Sequence, residues 1–357
     1  MGNNDINTRI VKKKKKRKLR KRAYILLPLF IVFIGALSWA ISLYIKADSV
    51  LTDSYEDDGR DKSELRAEKV DPKFDNVSIL MMGVDDNDHR TGNARTDSLM
   101  VATLNKDEKS VKLVNIPRDS YVYVPAYGYE TKINHAHAKG GPKATIETVE
   151  NLLEVPIDYY VKVNFHAFVE VVDALGGITA EVPYEFKESN SMDKRDAIHL
   201  MPGEQKLNGE EALALARTRK LDNDIERGKR QQDLIKAIVK KATSVNALLK
   251  FDDVIEAIGD NMTTNMTFSE MKSFISYGTS GSNIDIDSST LSGVDYQPAN
   301  VYYWQLDQQA LTETKTMLQS HLELQTDLTD SSSSSNTSDS TYEAEQDSSE
   351  VNTYNTN

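Results

Sequence analysis

Cysteine is absent from the 357-residue sequence, and histidine is scarce, with six residues. Disulfide bridges and thiolate zinc sites are therefore excluded, so a domain outside the cytoplasm would have to be stabilised by its hydrophobic core. The low histidine count also disfavours a metal site built on His135 and His137 of the segment INHAHAKGG, which is expected to be a loop. A cysteine-free exported domain fits a bacterium with an exposed envelope.

Positive charge is scarce beyond the first 22 residues. Those residues hold eleven bases and one acid, a net charge of +10, and because the whole chain carries −12, the remainder carries −22. The acidic remainder argues against a general nucleic-acid-binding surface. The basic stretch at residues 12–22, in which ten residues are Lys or Arg, instead suits the anionic inner leaflet of a membrane.

A long uncharged segment follows the basic stretch. The 23 residues from Ala23 to Ile45 contain no charged side chain. As a helix they would extend roughly 34 Å, which is enough to cross a hydrocarbon core of about 30 Å. The segment is longer than the hydrophobic part of a signal peptide, and Ser42–Ile45 offers no small-residue cleavage site. The sequence therefore predicts an uncleaved single-pass anchor with a cytoplasmic N-terminus.

Composition divides the chain into five segments. We expect a basic cytoplasmic tail (1–22), a transmembrane signal-anchor helix (23–45), a charged extracellular linker (46–72), an extracellular folded domain (73–325) and a disordered tail rich in Ser and Asp (326–357). Within 73–325, apolar runs of strand length alternate with helical patterns. The spacing of Asn208 and Glu211 predicts a capping box that opens the helix EEALALAR. The expected fold class is α/β, with a mixed central β-sheet flanked by helices.

Arginine is concentrated in a few short segments of this domain. Eight arginines lie between Lys73 and Gln325, and six of them occupy three segments that also carry an acid: Arg95, Arg118, Arg217, Arg219, Arg227 and Arg230. The planar guanidinium group binds phosphate oxygens in pairs, so these segments predict an anion site. A solvated helix face with charge pairs is the alternative, and it is preferred for Lys229 and Arg230.

The spacing of these residues suggests how they converge. Arg217 and Arg219 would point to one side if the chain is extended at the end of a helix. Arg227 and Gln231 are four residues apart and share a helical face. Asp85 ends one apolar run and Asp97 opens the next, so the two carboxylates could hold a divalent cation beside a phosphate. From spacing alone, ordinary Asp caps and turns are the preferred explanation of this segment.

Seven segments, taken in order, resemble the LytR-CpsA-Psr family of bacterial cell-envelope proteins. They are MMGVD (81–85), RTDS (95–98), NIPRDSYVYVP (115–125), KINHAHAKGG (132–141), TVENLLEVPIDYYVKVNFHAFVEVVDALGGI (148–178), PGEQKLNGEEALALARTRK (202–220) and DIERGKRQQDLIKAI (224–238). The resemblance is strongest over residues 75–242, and the order of tail, anchor and outer domain agrees. The segment Leu213-Ala214-Leu215 departs from the family pattern, in which an aromatic residue often precedes the arginine that corresponds to Arg217.

The resemblance implies a membrane-anchored phosphotransferase. Such an enzyme moves an anionic glycopolymer (wall teichoic acid, capsule or a related polysaccharide) from an undecaprenyl pyrophosphate carrier onto peptidoglycan. Nucleic acid would not be a partner. The helices over residues 165–175 and 232–240 would help to line a slot for the polyprenyl tail.

The resemblance also implies a role for each site residue. Asp85 and Asp97 would bind Mg²⁺ or Mn²⁺. The catalytic residues would be Arg95, Asp97, Arg118, Arg217 and Arg219. The residues that bind the substrate pyrophosphate would be Arg118, Arg217, Arg219, Arg227 and Gln231. Asp119 and Asp224 are weak candidates for a general base.

Two other functions are compatible with parts of the sequence. A non-catalytic envelope protein that binds polyprenyl pyrophosphate or glycan would need the same arginines and the same slot. A transcription regulator or attenuator is disfavoured, because the domain is acidic and lacks a helix-turn-helix with a basic recognition face. The glycopolymer, the acceptor hydroxyl, the oligomeric state and the role of residues 243–325 stay open at this point.

The predicted orientation can be tested with a topology reporter. A reporter fused after Asn357 is expected to be active only outside the cell, because the basic residues 12–22 hold the N-terminus inside. Protease added to intact protoplasts is expected to remove the residues beyond the anchor. A reporter that is active in the cytoplasm would contradict this orientation.

Overall fold

The computed structural model describes residues 21–84, 94–221, 223–243, 261–279 and 285–324, with single positions 254, 257 and 259. The predictions for residues 1–20, for Asp85 and for the tail 326–357 lie outside the described residues. All that follows concerns the described residues up to Leu324, which belong to one compact unit.

Apolar runs of strand length form the central sheet. Its strands are β1 (Val77–Val84), β2 (Thr96–Asn105), β3 (Ser110–Asn115), β6 (Tyr159–Asn164), β11 (Met262–Thr264) and β12 (Asp285–Thr290). Across the described residues the strand order is β11-β6-β1-β2-β3-β12. β1 is parallel to β6 and antiparallel to β2, whereas β3 is parallel to β12. The predicted mixed α/β sheet is thus confirmed.

Shorter strands pair in four ribbons outside this sheet. They are β4 (Tyr121–Val124) with β5 (Tyr129–Lys132), β7 (Ile178–Val182) with β10 (Gly203–Leu207), β8 (Phe186–Glu188) with β9 (Ile198–Leu200), and β13 (Gly293–Tyr296) with β14 (Tyr303–Leu306). The region after residue 243, whose role the sequence left open, therefore supplies both edge strands of the central sheet and the ribbon β13–β14.

Helices cover both faces of the central sheet. They are α1 (Lys21–Asp53), α2 (His135–Leu153), α3 (Phe165–Ala174), α4 (Gly209–Arg217), α5 (Asp224–Ala242), α6 (Phe268–Thr279) and α7 (Gln308–His321). One face of the sheet packs its buried side chains, among them Leu80 and Val101, with Ile146 of α2 and Leu318 of α7. The opposite face carries Met100, which packs near Ile235 of α5.

The predicted capping box forms as expected. The Asn208 side chain accepts a hydrogen bond from the Glu211 backbone N–H, and the Glu211 carboxylate accepts one from the Asn208 backbone N–H. These bonds satisfy backbone donors that the first turn of a helix leaves unpaired. They fix the start of α4, whose last residue is Arg217.

The segment 46–72 differs from the free spacer that the sequence predicts. α1 continues to Asp53, and its residues Ala47 and Leu51 are buried against a cluster that includes Met262 and Phe268. Arg66 forms an ion pair with Asp158 at 2.7 Å. The charged sequence of residues 46–72 predicts a linker, but these apolar and ionic contacts attach the segment to the edge of the domain.

The segment with His135 and His137 also differs from its prediction as a loop. Both residues lie in the first turn of α2, which is kinked at Gly140 and Gly141 before Pro142. Two glycines and a proline hide the helical pattern, because these residues usually interrupt helices.

In the described part of the chain, no helix has the length and apolarity needed to cross a membrane. The anchor at 23–45 stays a prediction.

Helices α3 and α4 cross too closely for any side chain at Gly209. A Cβ atom there would lie 2.2 Å from the carbonyl oxygen of Val169, and the Gly209 N–H already donates to Asp173 at 2.8 Å. Gly209→Ala is expected to lower the free energy of unfolding by about 1–3 kcal/mol, because the backbone must shift. At an uncrowded helix position the same change is stabilising. Urea denaturation measures the difference, and a more stable variant would refute the close crossing.

Candidate active site

An apolar pocket of about 360 Å³ lies between the sheet and helices α3 and α5. The sheet contributes Met81 of β1, Met100 of β2 and Val161 of β6. The helices contribute Phe165, Phe168 and Val171 from α3, and Leu234, Ile235 and Ile238 from α5. Met262 also lines the pocket, which makes three methionine side chains in its wall, whereas the Met82 side chain is buried in the main core on the other face of the sheet. The two helices are those that the sequence predicts around a polyprenyl slot.

Charged and polar side chains line the same pocket. They include six predicted site residues, Asp97, Arg118, Arg217, Arg219, Arg227 and Gln231, together with Ser98 and Asn164. Seven site residues were predicted from the described part of the chain, and these six come together, whereas Arg95 is exposed and is not part of the lining. The eighth, Asp85, follows the last described residue of β1, and Val84 of that strand pairs with Thr96 beside Asp97.

Local backbone geometry explains how the arginines converge. Arg217 ends α4, and Thr218 then adopts an extended conformation (φ −60°, ψ 139°) that leads to Arg219. Arg227 and Gln231 lie one turn apart near the start of α5, as their spacing predicts. Arg118 follows β3 directly. Three separate elements therefore bring their guanidinium groups to one place.

Asp224 is the carboxylate that these arginines share. Its Oδ1 lies 3.2 Å from Arg219 Nη1 and 3.4 Å from Arg227 Nη2, and its Oδ2 lies 4.0 Å from Arg118 Nε. Asp224 is also the first residue of α5, where a negative charge is favourable to the helix dipole. The sequence marked Asp224 only as a weak base candidate, because its approach to Arg118 joins segments that are distant in the chain.

Asp97 and Arg118 form a second charge pair. The Arg118 guanidinium donates to the Asp97 carboxylate, and Arg227 Nη2 donates to the Asp97 backbone oxygen at 3.2 Å. Arg118 also approaches Asp119, whose other oxygen lies 2.8 Å from Lys132 Nζ. Lys132 and Asp119 thus join the site, although neither was placed in the anion site from the sequence.

The charges perturb the two inner arginines in opposite directions. Burial lowers the pKa of Arg118, but the carboxylates of Asp97, Asp119 and Asp224 outweigh this and raise it above its ordinary value. Burial lowers the pKa of Arg227, the carboxylate of Asp224 opposes this effect, and the charges of Arg118 and Arg219 add to it. An added anion beside the buried Arg227 would favour its charged form.

Three guanidinium groups keep unused donors in the pocket region. Within the described residues, no acceptor takes a hydrogen bond from the buried atoms Arg118 Nε, Arg217 Nη1 and Arg227 Nε. Arg217 stacks on the Phe165 ring, with 4.8 Å between its Cζ and the ring centroid. A buried donor without an acceptor is costly, so all three groups are suited to a ligand that supplies oxygens.

Arg230 differs from the solvated residue that the sequence predicts. It is buried, and it donates from Nε to the Leu215 carbonyl at 3.2 Å and from Nη2 to the Thr218 carbonyl. Gln231 likewise donates to the Ala216 carbonyl at 3.1 Å. These bonds tie α5 to the end of α4 and so hold Arg217 and Arg219 in place. Lys229 pairs with Glu226 on the exposed face, as predicted.

The described residues offer few ligands for a divalent cation. No group of three or more acidic or histidine side chains that could bind a metal occurs in this part of the chain. Mg²⁺, however, is commonly held by one or two carboxylates together with substrate phosphates. Asp97 lines the pocket and its side chain is 32 % exposed, so it can supply one such carboxylate. The donor set fits a cation that is bound together with a phosphate ligand.

A comparison with protein families decides the classification. The LytR_cpsA_psr family model matches residues 41–320. The chain belongs to the LytR-CpsA-Psr family. The match includes residues 46–72, consistent with their packing on the domain.

Characterised relatives cover most of the chain. The polyisoprenyl-teichoic acid–peptidoglycan teichoic acid transferase TagT of Bacillus subtilis is 36% identical over 317 residues, which is 87% of this chain and 98% of TagT. TagV of the same species, which carries the same enzyme name, is 38% identical over 314 residues, 86% of this chain and 80% of TagV. The prediction of a family phosphotransferase is therefore confirmed.

Solved relatives share the fold. TagT bound to LIIa-WTA is 37% identical, with a TM-score of 0.65 over 74% of this chain and 98% of that chain. The family protein YwtF (TagT) with bound octaprenyl pyrophosphate lipid is 35% identical, with a TM-score of 0.61 over 74% of this chain and 98% of that chain.

The shared carboxylate can be tested by substitution. Asp224→Asn is expected to lower the free energy of unfolding by about 1–3 kcal/mol, because three arginines lose a partly buried counter-charge. Inorganic pyrophosphate is expected to raise the melting temperature of this variant more than that of the wild type, because the anion replaces the lost charge.

Asp233 provides a matched control on the same helix. Its carboxylate is 71 % exposed and lies 3.7 Å from Lys236, so Asp233→Asn should leave both measurements unchanged. Equal stability of the Asp224 variant and the wild type would show that the arginines do not depend on Asp224.

Proposed function

We propose that this chain transfers an anionic glycopolymer, such as teichoic acid or capsule, from an undecaprenyl pyrophosphate carrier to peptidoglycan. It does so at the outer face of the cell membrane, with its N-terminus in the cytoplasm. The observation that carries this proposal is the single pocket that joins an apolar slot to four arginines. A polyprenyl pyrophosphate has the same two parts, an isoprenoid tail and a doubly charged head.

The residues that line the pocket support a lipid carrier as its ligand. Isoprenoid units would replace water along Phe168, Ile235 and Ile238, and burial of apolar surface stabilises binding. The pyrophosphate would then lie at the arginine end, where Arg217 and Arg227 have unused buried donors. The solved relative with bound octaprenyl pyrophosphate supports the same assignment.

The arginines are suited to the chemistry of phosphoryl transfer. A sugar hydroxyl attacks the phosphorus next to the glycopolymer, and the bond to the lipid phosphate breaks. Charge builds up on the phosphoryl oxygens and on the leaving phosphate, so fixed positive groups lower the barrier. Arg118, Arg217 and Arg219 would orient these oxygens. A loose transition state needs no strong base to activate the sugar hydroxyl. Because an extracellular site has no ATP, the activated bond must be part of the substrate, as the pyrophosphate bond of the donor is.

A divalent cation is part of the proposal. Asp97, and Asp85 beyond the described residues, would hold Mg²⁺ or Mn²⁺ together with the pyrophosphate. The cation supplies charge neutralisation on the phosphate oxygens when bound. Within the chain, Arg118 keeps the Asp97 carboxylate in place through their ion pair.

Single substitutions in the full-length protein test the proposal. Arg118→Ala and Arg217→Ala are each expected to reduce transfer roughly ten- to a hundredfold, because a charge-assisted contact is worth about 1.5–3 kcal/mol. Arg→Lys should restore only part of the rate, since lysine cannot bind two oxygens at once. Transfer from a polyprenyl pyrophosphate-linked saccharide to a peptidoglycan acceptor gives the rate, and a melting curve on the same sample gives the stability.

Lys229→Ala is the matched control, because Lys229 lies on the exposed face of α5 and pairs only locally with Glu226. Asp97→Ala should instead weaken the dependence of the rate on Mg²⁺. Arginine variants that keep their activity, or that lose activity only in step with stability, would refute the phosphate-binding role. If the wild-type protein binds the lipid-linked donor but does not transfer the saccharide, the chain would be a non-catalytic receptor.

A further inference from the structure

Four tyrosines form a cluster on the surface beyond the pocket. We define this tyrosine patch by Tyr121, Tyr296, Tyr302 and Tyr303. The Tyr121 ring centroid lies 4.8 Å from that of Tyr303 and 5.6 Å from that of Tyr296. Tyr296 is 40% exposed, so the patch is open to solvent. Exposed aromatic side chains grouped in this way mark binding surfaces more often than isolated ones do.

The patch is joined to the arginine end of the pocket by direct contacts. Lys132 Nζ lies 5.8 Å from the ring centroids of both Tyr302 and Tyr303, and 2.8 Å from Asp119 Oδ1. Asp119 in turn approaches Arg118, which lines the pocket. No tyrosine of the patch lines the pocket. The contacts therefore run outward from the pocket through Arg118, Asp119 and Lys132 to the patch.

The ribbon β13–β14 is held against this part of the site by its backbone. Trp304 N–H donates to the Asp119 carbonyl at 2.9 Å, and Trp304 forms a parallel bridge with Ser120. Tyr302 and Tyr303 immediately precede Trp304. Their position relative to Arg118 is thus fixed by main-chain bonds.

A polar groove continues from Tyr121 away from the pocket. It has a volume of about 200 Å³. The side chains that line it include two phenols, three amides and a carboxylate: Tyr121, Tyr123, Asn151, Gln305, Gln308 and Glu130. Tyr123 is 46% exposed. Amides, phenols and carboxylates both donate to and accept from hydroxyl groups, which suits a saccharide better than an apolar ligand.

The charges favour a saccharide without phosphate groups. Asp119, Asp295 and Glu130 are acidic, whereas Lys132 is paired with Asp119 and Lys315 with Glu154 at 2.7 Å. Tyr302 donates to Asp295 at 3.0 Å. A polymer with a phosphate in each repeat would be repelled here, because like charges face each other across the contact. A neutral or weakly charged glycan strand would not.

We propose that the tyrosine patch and the polar groove bind the glycan strand that accepts the polymer. This inference rests on the proposed transfer reaction. The hydroxyl oxygen of the bound glycan forms a bond to phosphorus, the bond from that phosphorus to the lipid phosphate breaks, and the departing lipid monophosphate takes up the hydroxyl proton. In-line displacement requires the hydroxyl to approach opposite the leaving group. The patch contacts the arginine end through Asp119 and Lys132 and shares no lining residue with the slot, so a glycan bound there would approach the phosphorus from outside the slot.

Substitution of an exposed member of each part tests the proposal. Tyr296→Ala and Tyr123→Ala, in the full-length protein, are expected to raise the KM for a soluble peptidoglycan glycan oligomer about two- to tenfold, by analogy with aromatic pairs. The KM for the lipid-linked donor and the melting temperature should not change. Tyr296→Phe should keep the wild-type KM, because the ring face is retained. Phe74→Ala is the control, since Phe74 is 63% exposed and lies in neither surface.

Direct binding provides a second measurement. The same oligomer, titrated without donor, should bind the wild type and the Phe74 variant more tightly than the two tyrosine variants, as measured by isothermal titration calorimetry. An unchanged acceptor KM with unchanged binding would overturn the inference. So would a rise in the donor KM instead, because the patch would then hold the donor glycopolymer. A wild-type protein that binds the oligomer but transfers nothing would refute the proposed reaction and leave the acceptor surface standing.

Discussion

Mutual repulsion among guanidinium groups is the constraint on which the site depends. Arg118, Arg219 and Arg227 come within reach of a single carboxylate, that of Asp224. Without a counter-charge, such a group would push its members apart or raise the energy of the folded state. In the unliganded protein, the carboxylates of Asp224 and Asp97 therefore neutralise the guanidinium groups, as phosphate groups would in a complex with the proposed ligand. The cationic site is assembled before any ligand arrives, so little binding energy is needed to organise it.

The scaffold meets this constraint by giving each sheet face a separate task. On one face, Leu80 and Val101 pack in the main core with α2 and α7. On the other, Met81 and Met100 are available to the pocket beneath α3 and α5. Hydrogen bonds from the side chains of Arg230 and Gln231 to backbone carbonyls then fix the end of α4 relative to α5. Stability and ligand binding thus draw on different side chains of the same strands.

Local pattern was enough to predict much of the fold. Alternation and apolar runs predict β1, β2 and β6, and the pair Asn208 and Glu211 predicts the start of α4. Features that depend on distant contacts could not be predicted in this way. The glycine kink in α2 hides its first turn, and the charged segment 46–72 gives no local sign of its packing partners. The convergence of most of the arginines could be predicted because their segments carry the family pattern, whereas the approach of Asp224 to Arg118 and the burial of Arg230 follow only from tertiary contacts.

The methionines of the pocket wall bear on which part of the proposed lipid carrier the protein can distinguish. Met81, Met100 and Met262 have unbranched, flexible side chains that adapt to the shape of what they touch. A wall of this kind conforms to isoprenoid chains that differ in length or in double-bond geometry, and it measures bulk more than outline. Discrimination between carriers would then fall to the rigid, charged end, where position is fixed by hydrogen bonds. For the proposed carrier, the protein would thereby be permissive toward the tail and exacting toward the head.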